Sequence, residues 1–199
     1  MAGTRFDRVT KPLVAFVRGT CASGSYLVSC AATRIISQRS AIVGSIGVLM
    51  IRPDLHEMLA RIGVTIDMQT TGPYKGMGMP WRPVTPEEEQ KNQEMADRFF
   101  DRFISVVAEG RHVSAEVARG WATGEVWWAP EALQLGLIDE LGDLERATAY
   151  AAERAGIAEH VERVRPNRPL AQRLMSQAAY TWTRAAGAEI ERLLSARSQ

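Results

Sequence analysis

Ser23 stands in the run Cys21-Ala22-Ser23-Gly24-Ser25-Tyr26, after the apolar stretch Leu13-Val14-Ala15-Phe16-Val17 and before the apolar segment 26–32. A serine between a strand and a helix start meets converging backbone N–H groups and the positive end of the helix dipole. That setting suits a nucleophilic hydroxyl and the oxyanion its attack creates. It equally suits a plain N-cap, a role that serine fills routinely. Both readings stand on these six residues.

A nucleophilic serine needs a base, because a neutral hydroxyl is a poor nucleophile. His56, His112 and His160 carry no motif context. The other candidate is Lys75, in Thr71-Gly72-Pro73-Tyr74-Lys75-Gly76-Met77-Gly78-Met79-Pro80-Trp81. A lysine accepts a proton only when neutral, so its pKa must fall from about 10.4 toward 7–8, which takes roughly 3–5 kcal/mol of desolvation. Tyr74, Met77, Met79 and Trp81 could form such a dry wall, and Tyr74, Met77 and Met79 could hold apolar substrate side chains. An ordinary loop with one exposed lysine is the competing reading. Ser45, set between glycines in Gly44-Ser45-Ile46-Gly47, either kinks a strand or supplies the hydrogen bond that orients the lysine.

These side chains have to be carried by elements, and the hydrophobic pattern supplies them. Apolar runs predict strands over 12–18, 34–37, 41–43 and 46–50, an alternating strand over 64–68, and strands over 125–127 and 137–139. A helix is expected over 24–33 and another from Pro53 to about Arg61, closed by Gly63. Thr85-Pro86-Glu87-Glu88 opens a long helix with Met95, Phe99, Phe103 and Val106 on one face. Ser114 and Asp143 cap two more helices, and residues 130–136 form a short one. A strand-like 161–164 and an amphipathic helix over 170–194 end the chain. Strands alternating with helices mean an α/β domain with a largely parallel sheet.

Composition narrows the chemistry. The 199 residues, 46% hydrophobic and 24% charged, are those of one ordinary globular domain with an extension, and a net charge of +1 points to no nucleic acid. No paired-histidine spacing, phosphate loop or dinucleotide fingerprint occurs, so neither a metal nor a cofactor is expected. Cys21 and Cys30 form no CxxC motif, and Cys21 as a nucleophile would lack the electropositive setting a reactive thiol needs. No apolar run is long enough to span a bilayer and no targeting signal is evident, so the chain as written reads as soluble.

The order Ala22-Ser23-Gly24-Ser25-Tyr26, Gly44-Ser45-Ile46-Gly47-Val48, Gly72-Pro73-Tyr74-Lys75 and Arg82-Pro83-Val84-Thr85-Pro86-Glu87-Glu88 resembles the signal peptide peptidase A (protease IV) family of Ser–Lys peptidases. Gly110-Arg111, Gly124-Glu125-Val126-Trp127 and the segment 132–142 extend the resemblance, which runs from about Pro12 to Gly156. It implies a ClpP/crotonase-like fold, with Ser23 as nucleophile, the Gly24 amide as one oxyanion donor, Lys75 as general base and Ser45 positioning the lysine. It also implies a homo-oligomeric ring in which Lys75 serves a neighbour's Ser23, and peptide or protein substrates such as cleaved signal peptides. Family members are typically membrane-anchored with the catalytic part outside the cytoplasm. Here Ser25 replaces a usual glycine, and the start corresponds to the middle of the family domain, without its first strands, its second oxyanion loop or its anchor. The expected organisation is a lead over 1–11, the peptidase domain over 12–165 and a helical extension over 166–199. A truncated, non-catalytic assembly subunit and a phage capsid-maturation relative are the alternatives.

Overall fold

A computed structural model of the chain describes residues 11–162 and 164. The described residues up to His160 belong to one compact unit. The expected helix over 170–194 lies outside the described residues, as does almost all of the proposed lead, and 161, 162 and 164 are not in a strand.

The chain moves between two three-stranded sheets. Strands β1 (Val14–Val17), β3 (Arg34–Ser37) and β6 (Glu140–Leu141) form one, in the order β1-β3-β6. Strands β2 (Thr20–Ala22), β4 (Ile42–Gly44) and β5 (Val126–Trp128) form the other, in the order β2-β4-β5. Both first pairs are parallel, β1 with β3 from Val14↔Arg34 to Val17↔Ser37, and β2 with β4 from Thr20↔Ile42 to Ala22↔Gly44. β6 adds to β3 in parallel and β5 to β4 antiparallel. The connection from one parallel strand to the next needs a crossover. Here it passes through the other sheet and, after β2, through helix α1 (Gly24–Ser29). The expected α/β architecture with mostly parallel pairing is what forms.

Helix α2 (His56–Arg61) begins three residues later than its proline suggests. Helix α3 (Pro86–Arg111) starts as expected, with Thr85 and Glu88 forming a reciprocal capping box and proline in the first turn. It is followed by α4 (Ala115–Trp121, capped by Ser114), α5 (Ala129–Leu135) and α6 (Leu144–Ala155, capped by Asp143). Residues 46–50 and 64–68 are not strands, which corrects the sequence expectation. Ile46 alone of their large apolar side chains is fully buried, while Leu49 is 76% exposed and Val64 44%. The strand expected at 137–139 is displaced to Glu140–Leu141, because Leu137 and Ile138 turn inward to the core instead.

The core joins both sheets to the inner faces of α1, α3 and α5, through Val17, Tyr26, Ile35, Val43, Ile46, Phe103, Val107, Ala132 and Leu137. Tyr26 is fully buried and its hydroxyl donates to the Leu137 carbonyl at 2.9 Å, so the polar tip of the ring has a partner. Gly110 lets α3 close on the end of α1: a Cβ there would sit 2.2 Å from the Cys30 carbonyl oxygen. One helical step on, Arg111 donates to both oxygens of Asp139 at 2.6 and 3.1 Å, and its Nε donates to the Gly136 carbonyl. Asp139 also accepts from the Ile35 amide at 2.6 Å. This nearly buried pair fastens the end of α3 to β3 and to the turn before β6.

Candidate active site

β2 and β4 run parallel and end side by side, with Ala22 paired to Gly44. The next residue on each is a serine, so Ser23 and Ser45 leave the carboxyl ends of adjacent strands together. Open α/β sheets place their sites beyond such ends. Both serines are held in a backbone region that side chains avoid, Ser23 at φ 53° and Ser45 at φ 50°. The chain there is fixed from outside: the Ser23 amide donates to the Gly44 carbonyl at 2.9 Å, and the Ser45 amide to the Glu125 carbonyl at 2.6 Å. Gly44, at φ 128°, admits this approach, since a Cβ would lie 2.7 Å from both the Glu125 oxygen and the Trp127 ring.

Ser23 is the N-cap residue of α1, yet its hydroxyl makes no capping hydrogen bond. The plain-cap reading therefore fails on geometry. The side chain is exposed and lines a cleft of about 900 Å³ shared with Gly24, Ser45 and Leu27. Gly24 is the first residue of α1, so its amide has no carbonyl one turn back to donate to. Ser25 has a local task that the sequence did not disclose: its hydroxyl donates to the Ala22 carbonyl at 2.7 Å, tying the turn that carries Ser23. The strand-to-helix turn with a strained serine is the mechanical arrangement of a nucleophile elbow.

The cleft is apolar on the α3 side, where Phe99, Phe100 and Phe103 line it. The sequence placed Phe99 and Phe103 on a core-facing stripe; Phe103 is buried, whereas Phe99 is 56% exposed and faces the opening. Thr123 and Gly124 also line it; Gly124 belongs to a run that extends the family resemblance, whereas Thr123 carries no signal in the sequence. Neither cysteine lines it. Cys21 is buried with its sulfur 3.3 Å from the Ser29 hydroxyl, and burial pushes the Cys30 thiol up to about 12. None of the three histidines lines it either; His56 Nδ1 instead lies 2.5 Å from Asp54.

Lys75 is elsewhere. Its side chain is exposed and does not line the Ser23 cleft. Tyr74, Met77 and Met79 travel with it on the turns over 71–80, and Tyr74 and Met77 border a separate recess against Met95 and Arg98 of α3. That segment is anchored nonetheless. Arg82 pairs with Glu88 and donates to the Gly76 carbonyl at 2.8 Å, while Arg52 donates to the carbonyls of Met79 and Arg82 at 3.0 Å each. The hydrogen bond from Arg82 dominates at Glu88 and holds its carboxyl below the ordinary range, against the pull of burial. The structure thus brings Ser23, Gly24 and Ser45 together and keeps Lys75, Tyr74, Met77 and Met79 as a second group within one chain.

Among the described residues no three His, Cys, Asp or Glu side chains gather as a metal site, and no helix is long and apolar enough to cross a membrane.

Comparison with known proteins gives the family. Among curated relatives, Protease 4 of Salmonella typhi is 36% identical over 145 residues, 73% of this chain and 23% of that protein. The chloroplastic serine protease SPPA of Arabidopsis thaliana is 33% identical over 149 residues, 74% of this chain and 22% of that protein. The chain spans between 18% and 60% of the lengths of the curated relatives it matches. Among solved structures, an enoyl-CoA hydratase/isomerase family protein from Hyphomonas neptunium aligns at 19% identity over 77% of this chain and 43% of that one, with a TM-score of 0.40. The profile of Peptidase family S49 matches residues 5–158. With most of its length matched, this chain belongs to peptidase family S49.

Proposed function

We propose that the chain is the nucleophile-bearing part of a serine endopeptidase that cuts apolar, extended peptide segments such as cleaved signal peptides. The observation that carries this reading is Ser23: a strained, exposed, uncapping hydroxyl at a helix mouth, opening on an apolar cleft. Its Oγ attacks the scissile carbonyl carbon as its proton passes to a neutral lysine amine. The oxyanion takes the Gly24 amide, and collapse expels the amine, which leaves with the proton from the lysine. Water then releases the acyl group by the same route in reverse.

The base in this reading is Lys75 of a neighbouring copy in a homo-oligomeric ring. Support comes from the exposure of Lys75, from its absence from the cleft of its own chain, and from the exposed apolar side chains of Leu49, Ile51 and Ile62. A second copy covering such side chains would also remove water from the amine, lowering its pKa in the direction catalysis needs. Ser45, half-buried one rung from Ser23, orients the arriving amine. Tyr74, Met77 and Met79 would arrive with it as further apolar walls.

Labelling with a serine-directed acylating probe, located by peptide mass spectrometry, tests the reading. Stoichiometric acylation at Ser23, absent in Ser23→Ala and strongly slowed in Lys75→Ala, is expected. No acylation of the assembled protein, or acylation undiminished in Ser23→Ala, refutes it and leaves the non-catalytic assembly role.

A further inference from the structure

Arg102 is the single charged side chain among the described residues that line the Ser23 cleft. The helical spacing places it on the same side of α3 as Phe99 and Phe103, where an apolar residue would pack better against the aromatic wall. It is exposed, and among the described residues no carboxylate pairs with it. The candidates are otherwise engaged. Its neighbour Asp101 takes Arg119 at 2.6 Å, and Glu125, close to the rim, accepts from the Thr123 hydroxyl at 2.7 Å. One turn before Arg102 stands Arg98, another cation. An exposed arginine in an apolar cleft, with no carboxylate partner among the described residues, offers a planar fork suited to a carboxylate.

We infer that Arg102 is a specificity-determining residue that receives a carboxylate of the bound peptide. The inference rests on the peptidase reading for its biological meaning, but its chemistry concerns binding alone. The carboxylate is either an Asp or Glu side chain at a fixed distance from the scissile bond or the free C-terminus of a short peptide. A peptide thus presents apolar side chains to Phe99, Phe100 and Phe103 and one anionic group to Arg102. The cleft ranks peptides by charge as well as by hydrophobicity, although most of its lining is apolar.

The test uses the full chain carrying Ser23→Ala, so that binding is read without turnover. Fluorescently labelled apolar peptides carry Glu or Gln at each position in turn, and each is made with a free or an amidated C-terminus. Fluorescence anisotropy should show one Glu position, or the free terminus, binding roughly five- to tenfold more tightly than its neutral counterpart. The preference should shrink as salt rises from low to about 0.5 M, since the pair is partly solvated. It should disappear in Arg102→Gln, persist in part in Arg102→Lys, and pass to lysine-bearing peptides in Arg102→Glu. A charge preference that survives Arg102→Gln, or no acid-dependent difference at any position or terminus, overturns the inference. Failure of the peptidase reading appears separately, as loss of Ser23 acylation in the unsubstituted chain, and leaves a measured acid preference standing.

Discussion

The left-handed backbone of Ser23 makes a prediction whose sign is diagnostic. Compare Ser23→Gly with Ser23→Ala, both of which remove the hydroxyl and with it all hydrolysis. Because the serine makes no capping hydrogen bond, neither change sacrifices one. Alanine keeps the penalty of a side chain at φ 53°, about 1–3 kcal/mol. Glycine relieves that penalty, but it adds about 0.4–1 kcal/mol of extra freedom to the unfolded chain. The difference leaves Ser23→Gly more stable than Ser23→Ala by about 1 kcal/mol. At an unstrained site glycine would instead be the less stable of the two. Urea unfolding followed by tryptophan fluorescence measures this, provided the two variants share one slope, so that the midpoints compare directly. Ser23→Gly that is as stable as Ser23→Ala, or less so, would refute the claim that Ser23 is held under strain by the Gly44 carbonyl and the turn around it.

If the base comes from a neighbouring copy, Ser23→Ala and Lys75→Ala are each inactive alone but regain about a quarter of full activity when unfolded and reassembled at equal amounts, since random neighbours supply an intact serine and an intact lysine at one site in four. Zero recovery in verified mixed assemblies would place both groups in one chain. At Asp139, burial opposes ionisation, but the hydrogen bonds from Arg111 and the Ile35 amide outweigh it and hold the carboxyl below its ordinary range. Its contribution is present above the unfolded value of about 3.9 and lost as pH falls through the folded value. Asp139→Asn should therefore cost about 2–3 kcal/mol at pH 7 and show a flatter loss of stability below pH 4 than the unsubstituted chain; parallel acid curves would contradict this. Gly110→Ala drives a methyl into the Cys30 carbonyl and should cost at least about 2 kcal/mol in chemical unfolding, whereas a cost under about 0.5 kcal/mol would mean α1 and α3 are not in such close contact.

The parts legible in the sequence are those where local chemistry decides. Thr85, Ser114 and Asp143 announce helix starts because each side chain can meet an amide two or three residues on, and all three do. Strands β1, β3 and β4 were legible because their apolar runs are bounded by glycine or polar residues. Strand β2, three residues long directly after Gly19, offers too little pattern to be read. Residues 46–50 and 64–68 have strand-like composition, but composition does not supply a partner edge, and none is present. At the site, Ser23, Gly24 and Ser45 were legible through spacing, and register explains why: both serines follow paired residues of parallel strands. Arg102 was invisible, because a single arginine on a helix rich in charge looks like solvated surface until the cleft beside it is seen.

The layout of the two sheets makes the segment from about residue 50 to the start of α3 separable from the sheets. Both parallel pairs that begin the fold are complete by Gly44, and every later strand comes after Arg111. A protease nick within residues 50–85 would cut no sheet and no core helix, and the two fragments would stay joined through β4 with β5, β3 with β6, and α1 with α3. The lysine-bearing segment can therefore vary in length and sequence without disturbing the platform beneath the serine. Natural variation and engineering alike can change what it offers to a neighbouring molecule while the scaffold stays as it is.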